Sequence, residues 1–211
     1  MTKIQGYAAW RFLVRFKKGQ WRHEPGEIAV LDLGRKATVD DLDIVKGQTE
    51  IVDHCLVVHA PNGGWNARGR GSILFSLREY EDSHDGAGVV LTSTVGYPVN
   101  APHRTAICAD VAWYTGPLDD PSDTSPPAFA AEVRDFANYG NEAEEFLAIK
   151  LGDYFAAGTQ VVWDVDVLRE ELIRVYRATD PENPAVYRRG EVAEAEPAVP
   201  GWRFPVDEIW D

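Results

Sequence analysis

Soft metal ligands are scarce in this sequence. It has two cysteines, Cys55 and Cys108, each inside an apolar run and neither at the partner spacing of a zinc site, so both are read as reduced core thiols. The five histidines are scattered, and His54 and His59 do not form an HxxxH pair, so a histidine-ligated metal is not expected. No apolar run nears the roughly 18 residues of a membrane span, and the basic residues near the N-terminus do not flank an uninterrupted signal-peptide core. These absences lead to the expectation of a cytoplasmic protein. Positive charge is also short: the formal net charge is -13, which argues against coating nucleic acid by bulk attraction.

What is present suits one globular domain. The 211 residues, 45% hydrophobic and 26% charged, can bury one sizeable core, and the composition does not ask for a second. Charge is unevenly spread. Residues 1–37 carry Lys3, Arg11, Arg15, Lys17, Lys18, Arg22, Arg35 and Lys36 against Glu24, Glu27 and Asp32, whereas from Leu118 to Glu145 Arg134 is the sole base. The division is therefore a basic N-terminal β extension, 1–37, ahead of a main domain, 38–211. The basic arm reads either as a local phosphate-binding surface or as a solvated strand face.

Trp10, Phe12, Val14 and Phe16 alternate with Arg11 and Arg15, and Glu27 to Leu33 follows as a second strand, so a hairpin is expected. Thr38 followed by Asp41 marks the start of a short helix. Glu50–Asp53 and Leu56–Val58 read as a tight antiparallel pair. Ile73, Leu77 and Tyr80 mark a helix from Trp65 whose first half is weakened by Gly69 and Gly71. Short strands at Val89–Leu91 and Val95–Tyr97 precede a turn at Asn100–His103. Gly116–Pro126 is a loop. Phe146, Ile149, Lys150, Tyr154 and Phe155 share neighbouring helical faces, with Gly158 as the C-cap. Glu171–Arg177, Val186–Arg188 and Trp202–Val206 suit a closing meander, with Glu191–Pro197 as a surface link.

Two apolar runs organise the chain: Cys108–Tyr114, holding Asp110, and Pro127–Arg134, holding Glu132. A carboxylate among residues that belong inside must be paired, bind a metal or be neutralised. Two such carboxylates make a candidate divalent-metal site. Behind them come the helix carrying Lys150 and the apolar strand Thr159–Val165, giving the order strand, strand, helix, strand.

Together, Thr38-Val-Asp-Asp-Leu, Glu50-Ile-Val-Asp-His-Cys-Leu-Val-Val, Ala109-Asp-Val-Ala-Trp-Tyr, Pro127-Ala-Phe-Ala-Ala-Glu-Val-Arg, Lys150-Leu-Gly-Asp-Tyr-Phe-Ala-Ala-Gly, Val161-Val-Trp-Asp-Val-Asp, Val175-Tyr-Arg and Pro200-Gly-Trp-Arg-Phe-Pro resemble the Uma-type family of restriction endonuclease-like proteins, within the PD-(D/E)XK superfamily. The match runs from about Thr38 to the C-terminus and rests on the ordered set, since no single motif is specific. The resemblance implies an α/β fold with a restriction-endonuclease-like core, a mixed central β-sheet flanked by helices. It also implies Mg²⁺- or Mn²⁺-dependent hydrolysis of DNA, with Asp110, Glu132 and Lys150 as catalytic residues and Asp110, Glu132 and the Val133 carbonyl as metal ligands. Two departures stand out: Ala109 replaces the usual proline, and Arg134 occupies the superfamily's usual lysine position, where it could hold phosphate but not serve as a base.

Each assignment has a plainer competitor. Asp110 and Glu132 could be strand-end acids pairing with Arg134 or Lys150, and Lys150 could be a solvated helix lysine. Glu50 is a weaker candidate, as a further ligand or supporting acid, against a plain edge-strand glutamate. Asp166 reads as a turn former. The tryptophans read as core, except that Trp65, with Asn66, Arg68 and Arg70 at a glycine-containing helix start, could approach a phosphate backbone. The expected partner is DNA, with no membrane, and a homodimer would suit double-strand cleavage. Two rivals remain: a catalytically inactive nuclease-fold protein that binds DNA or regulates, and a hydrolase using Asp110 and Glu132 as an acid–base pair on a sugar or other small substrate.

Overall fold

The computed structural model describes residues 28–31, 33–44, 48–59, 62–93, 95–118 and 125–211. The strand expected at Trp10–Phe16 lies outside them. In chain order the elements are β1 (Ile28–Leu31), a 3-10 turn (Val39–Ile44), β2 (Thr49–Val52), β3 (Cys55–His59), α1 (Gly64–Ser83), β4 (Val89–Thr92), β5 (Tyr97–Pro98), β6 (Arg104–Ile107), β7 (Val111–Tyr114) and β8 (Phe129–Val133). These are followed by α2 (Asn141–Ala157), β9 (Val161–Asp166), β10 (Leu172–Arg177), β11 (Asp180–Arg188), β12 (Val192–Ala195), β13 (Val199–Pro205) and a final 3-10 turn (Val206–Ile209).

The strands form an antiparallel five-stranded sheet, β1-β3-β2-β6-β5, a six-stranded sheet, β11-β10-β9-β8-β7-β4, and the β12-β13 hairpin. In the six-stranded sheet only β8 and β9 run parallel, and α2 is the crossover between them. The expected mixed sheet flanked by helices is therefore present. β1 pairs with β3 and is the last strand of the first sheet among the described residues. Asp53 and His54, both at positive φ (44° and 67°), make the tight β2–β3 turn.

Side-chain alternation divides the six-stranded sheet into two faces. Val111, Trp113, Phe129, Ala131, Val133, Trp163 and Val165 pack with Ile73 and Leu77 of α1 and with Trp202 and Phe204 of β13. Ala112, Tyr114, Ala130 and Val162 face Leu151 and Tyr154 of α2, with Tyr97 and Ile107 of the other sheet. By that parity Asp110 and Glu132 belong to the α2 side.

Gly69 explains the weak start of α1. A Cβ there would lie 3.1 Å from Val167 Cγ1 and 3.2 Å from Val133 Cγ1, whereas one at Gly71 would meet nothing. Gly69 thus lets the first turns of α1 approach the end of β8. At the end of α2, Gly158 adopts φ 115° and its N–H bonds the carbonyls of Tyr154 and Phe155, the expected left-handed cap.

Several local expectations need correction. Glu191–Pro197 contains strand β12, with Ala193 and Ala195 fully buried; alanine is too weakly hydrophobic for its alternation to stand out. Val95–Tyr97 contributes only Tyr97 to a ladder, and β6 was not anticipated because its first residue is the buried Arg104. The Asp110 strand begins only at Val111, so Cys108–Asp110 is the link by which the chain passes from one sheet to the other.

Candidate active site

The candidate site lies at that link. β6 ends at Ile107 in the five-stranded sheet and β7 begins at Val111 in the six-stranded one, so Asp110 is held between them. Its Oδ2 accepts the Val133 N–H at 2.8 Å, and its backbone N–H donates to the Ala131 carbonyl at 3.1 Å. Its other oxygen, Oδ1, accepts from Gln48 Nε2 at 3.2 Å and lies 3.5 Å from Arg70 Nη1. Asp110 and Glu132 are thus brought together by the bonds that tie the link to β8.

Lys150 is not solvated. It is 3% exposed, and its Nζ donates to Glu132 Oε2 at 2.8 Å and to the Cys108 carbonyl at 3.0 Å, with Glu50 Oε1 also at 3.0 Å. One helical turn on, the Tyr154 hydroxyl donates to Glu132 Oε1 at 2.6 Å. The Lys150–Tyr154 spacing was visible in the sequence, but the role of Tyr154 was not.

Glu50 is fully buried on β2, which has β3 on one side and β6 on the other, so the edge-strand reading fails. Its Oε1 accepts the Cys108 N–H at 3.0 Å, and its Oε2 lies 3.5 Å from Arg104 Nε. Arg104 in turn reaches Asp153 Oδ2 at 2.5 Å, tying the sheet to α2. Gln48, Arg104 and Asp153 carried no sequence signal, because each meets its partner across 49 to 62 residues of chain.

The electrostatics follow from burial. Burial pushes the Glu132 carboxyl above its ordinary range, and the charges of Asp110 and Glu50 add to that, outweighing Lys150. For Lys150 burial acts to strip the proton, but Glu132 and Glu50 prevail and raise its pKa, so it stays an ammonium. Glu50 is opposed by burial too, yet Lys150 and Arg104 hold it well below the usual range. Burial raises the Cys108 thiol, which leaves it unreactive.

On α1, the Asn66 side-chain N–H₂ donates to the Val133 carbonyl and Arg70 bonds the Ser93 hydroxyl, so both lie at the site. Arg68 does not: its Nε donates to the Ile209 carbonyl at 3.1 Å. Nor does Arg134, whose guanidinium is clamped by Asp164 at 2.6 and 2.8 Å and by Glu144 at 2.9 Å. Its donors are thus engaged within the protein. Asp166 is a turn former as expected, accepting the Arg169 N–H at 2.9 Å and also the Tyr139 hydroxyl at 2.6 Å. Trp113, Trp163 and Trp202 are core, while Trp65 is 46% exposed.

Among the described residues no three His, Cys, Asp or Glu side chains group as a metal site.

A mixed sheet whose parallel pair is joined by a crossover helix, with helices flanking it, is a restriction-endonuclease-like fold. The chain matches the Uma2 model, described as "Putative restriction endonuclease", over residues 42–207, and it belongs to that family. Among solved structures it is similar to the crystal structure titled a "putative nuclease belonging to DUF820 from Anabaena variabilis", at 11% identity and a TM-score of 0.61, over 82% of this chain and 97% of that one. No curated protein matches it. No helix among the described residues is long and apolar enough to cross a membrane.

Proposed function

We propose that the protein is a Mg²⁺- or Mn²⁺-dependent endonuclease that hydrolyses DNA phosphodiester bonds. Asp110, Glu132 and the Val133 carbonyl would hold the ion, and Lys150 is the fixed positive charge beside it. The donors fit such an ion: all are hard oxygens, two are carboxylates, and Mg²⁺ commonly takes only one or two carboxylates and keeps several waters. When bound, the ion would polarise the phosphate and acidify an attacking water.

The chain's own side chains have separable tasks. Lys150 keeps its proton at Nζ and so serves as donor and charge, not as base. Tyr154 and Lys150 fix the two oxygens of Glu132. Glu50 reaches Lys150, Cys108 and Arg104 and so acts through Lys150 as a positioning residue. Arg70, at the rim, is the cation for a phosphate oxygen. A homodimer acting in the cytoplasm would give double-stranded DNA the two sites it needs.

The observation that carries this reading is the 2.8 Å Lys150–Glu132 pair beside Asp110. Plasmid cleavage tests it. Nicking or linearisation in Mg²⁺, absent in EDTA and in Asp110→Asn, is expected. Turnover that survives EDTA would favour the acid–base hydrolase instead.

One observation favours a second reading, a nuclease fold that binds DNA without cutting it: the Val133 carbonyl already has the Asn66 amide as partner. Equal Mn²⁺ affinity in the wild type and Asp110→Ala would support it.

A further inference from the structure

Three oxygens, one on the link before β7 and two on β8, make the candidate cation site, and two of them are engaged from a single turn of α1. Asn66 donates to the Val133 carbonyl, and Arg70, four residues later, lies 3.5 Å from Asp110 Oδ1. The two are joined, since Arg70 Nη1 also donates to Asn66 Oδ1 at 3.4 Å. Gly69 lets this turn lie against Val133.

The contacts differ in firmness. Asp110 Oδ2 is fixed by the Val133 N–H at 2.8 Å, whereas the Oδ1 contacts at 3.2 and 3.5 Å are long against the roughly 2.7–2.9 Å of a firm charge-assisted bond. Oδ1 is therefore the oxygen ready to change partner. An arginine and a divalent cation would repel each other across it, so one excludes the other. Arg70's side chain is 18% exposed, so part of it already meets solvent, and it also bonds the Ser93 hydroxyl.

We propose that Asn66 and Arg70 are a built-in substitute for the cation: they occupy the Val133 carbonyl and the Asp110 carboxylate, are exchanged for the ion, and Arg70 then turns to a phosphate oxygen of the nucleic acid. The ion thereby converts an internal arginine into a substrate ligand, so phosphate binding depends on metal loading. This rests on the cation-site reading above.

Mn²⁺ titration of the full chain by calorimetry tests it, with Arg70→Gln, Arg70→Lys, Asn66→Ala and Asp110→Asn alongside the wild type. Arg70→Gln should bind Mn²⁺ about five-fold or more tightly, Arg70→Lys should stay near wild type, and Asn66→Ala should move in the same direction as Arg70→Gln. With Ca²⁺ present, Arg70→Gln should bind a short DNA duplex more weakly. Unchanged or weaker Mn²⁺ affinity in both Arg70→Gln and Asn66→Ala overturns the substitute, and undiminished duplex binding overturns the turn to phosphate. Equal Mn²⁺ affinity in wild type and Asp110→Asn instead removes the cation site, and the proposal with it.

Discussion

Two buried ionic clusters lie along the same stretch of β8, and they are built to opposite ends. Around Arg134, the interior holds Arg134 and Arg174 against one buried acid, Asp164, and the remaining partners, Glu144 and Glu170, have side chains 51% and 53% exposed. Around Lys150 the acids are inside: Glu50, Glu132, Asp110 and Asp153 face Lys150, Arg104 and Arg70. The first cluster satisfies its charge by reaching to the surface. The second buries four carboxylates against three permanent cations, with the His59 ring 3.4 Å from Glu50, and a buried carboxylate is costly wherever no cation faces it. Two clusters of similar residues can thus meet at the end of one strand, and what separates them is where the surplus charge is buried.

Removing the cation of each cluster should separate them most strongly. Lys150→Met should lower kcat by about 10²–10³-fold, as for loss of one preorganised electrostatic donor, measured by plasmid cleavage. Arg134→Met should leave the cleavage rate of the folded protein within a few-fold of wild type while costing about 3 kcal/mol of stability, because it leaves the buried Asp164 with Arg174 alone, measured by urea unfolding. A loss of activity in Arg134→Met at unchanged stability would erase the distinction.

A smaller effect concerns pH. The Glu132 carboxyl titrates above its unfolded value of 4.5, so the folded state binds the extra proton between the two values, and stability falls as pH rises through that window. Glu132→Gln should remove that fall, and Mg²⁺ should raise the wild-type melting temperature more at pH 7 than at pH 5. Thermal melts at several pH values check both. Opposite slopes would mean that Lys150 outweighs burial. Least of all, Arg78→Ala, which loses exposed pairs with Glu81 and Asp82, should change stability by no more than about 1 kcal/mol.

Much of the core was legible because its signals are local. Asp110 and Glu132 stand out as charges in apolar runs, Lys150 and Tyr154 share a face by spacing alone, and Gly158 closes α2 where a left-handed residue is needed. Glu50 was undervalued for a tertiary reason: whether β2 is an edge depends on β6, a four-residue strand opened by an arginine. Arg134 misled in the opposite sense, since its sequence position suggests phosphate while Asp164, 30 residues on, claims it. Gly69 looked like a helix defect because its reason, the Val133 side chain, lies on another element.

Crystals soaked in Mn²⁺ and measured at its absorption edge bear most directly on the central claim. An anomalous peak about 2.1–2.3 Å from carboxylate oxygens of both Asp110 and Glu132 and from the Val133 carbonyl, with Lys150 still on Glu132, is the expected result. A peak elsewhere, or an ion touching only one of the two acids, would contradict the account.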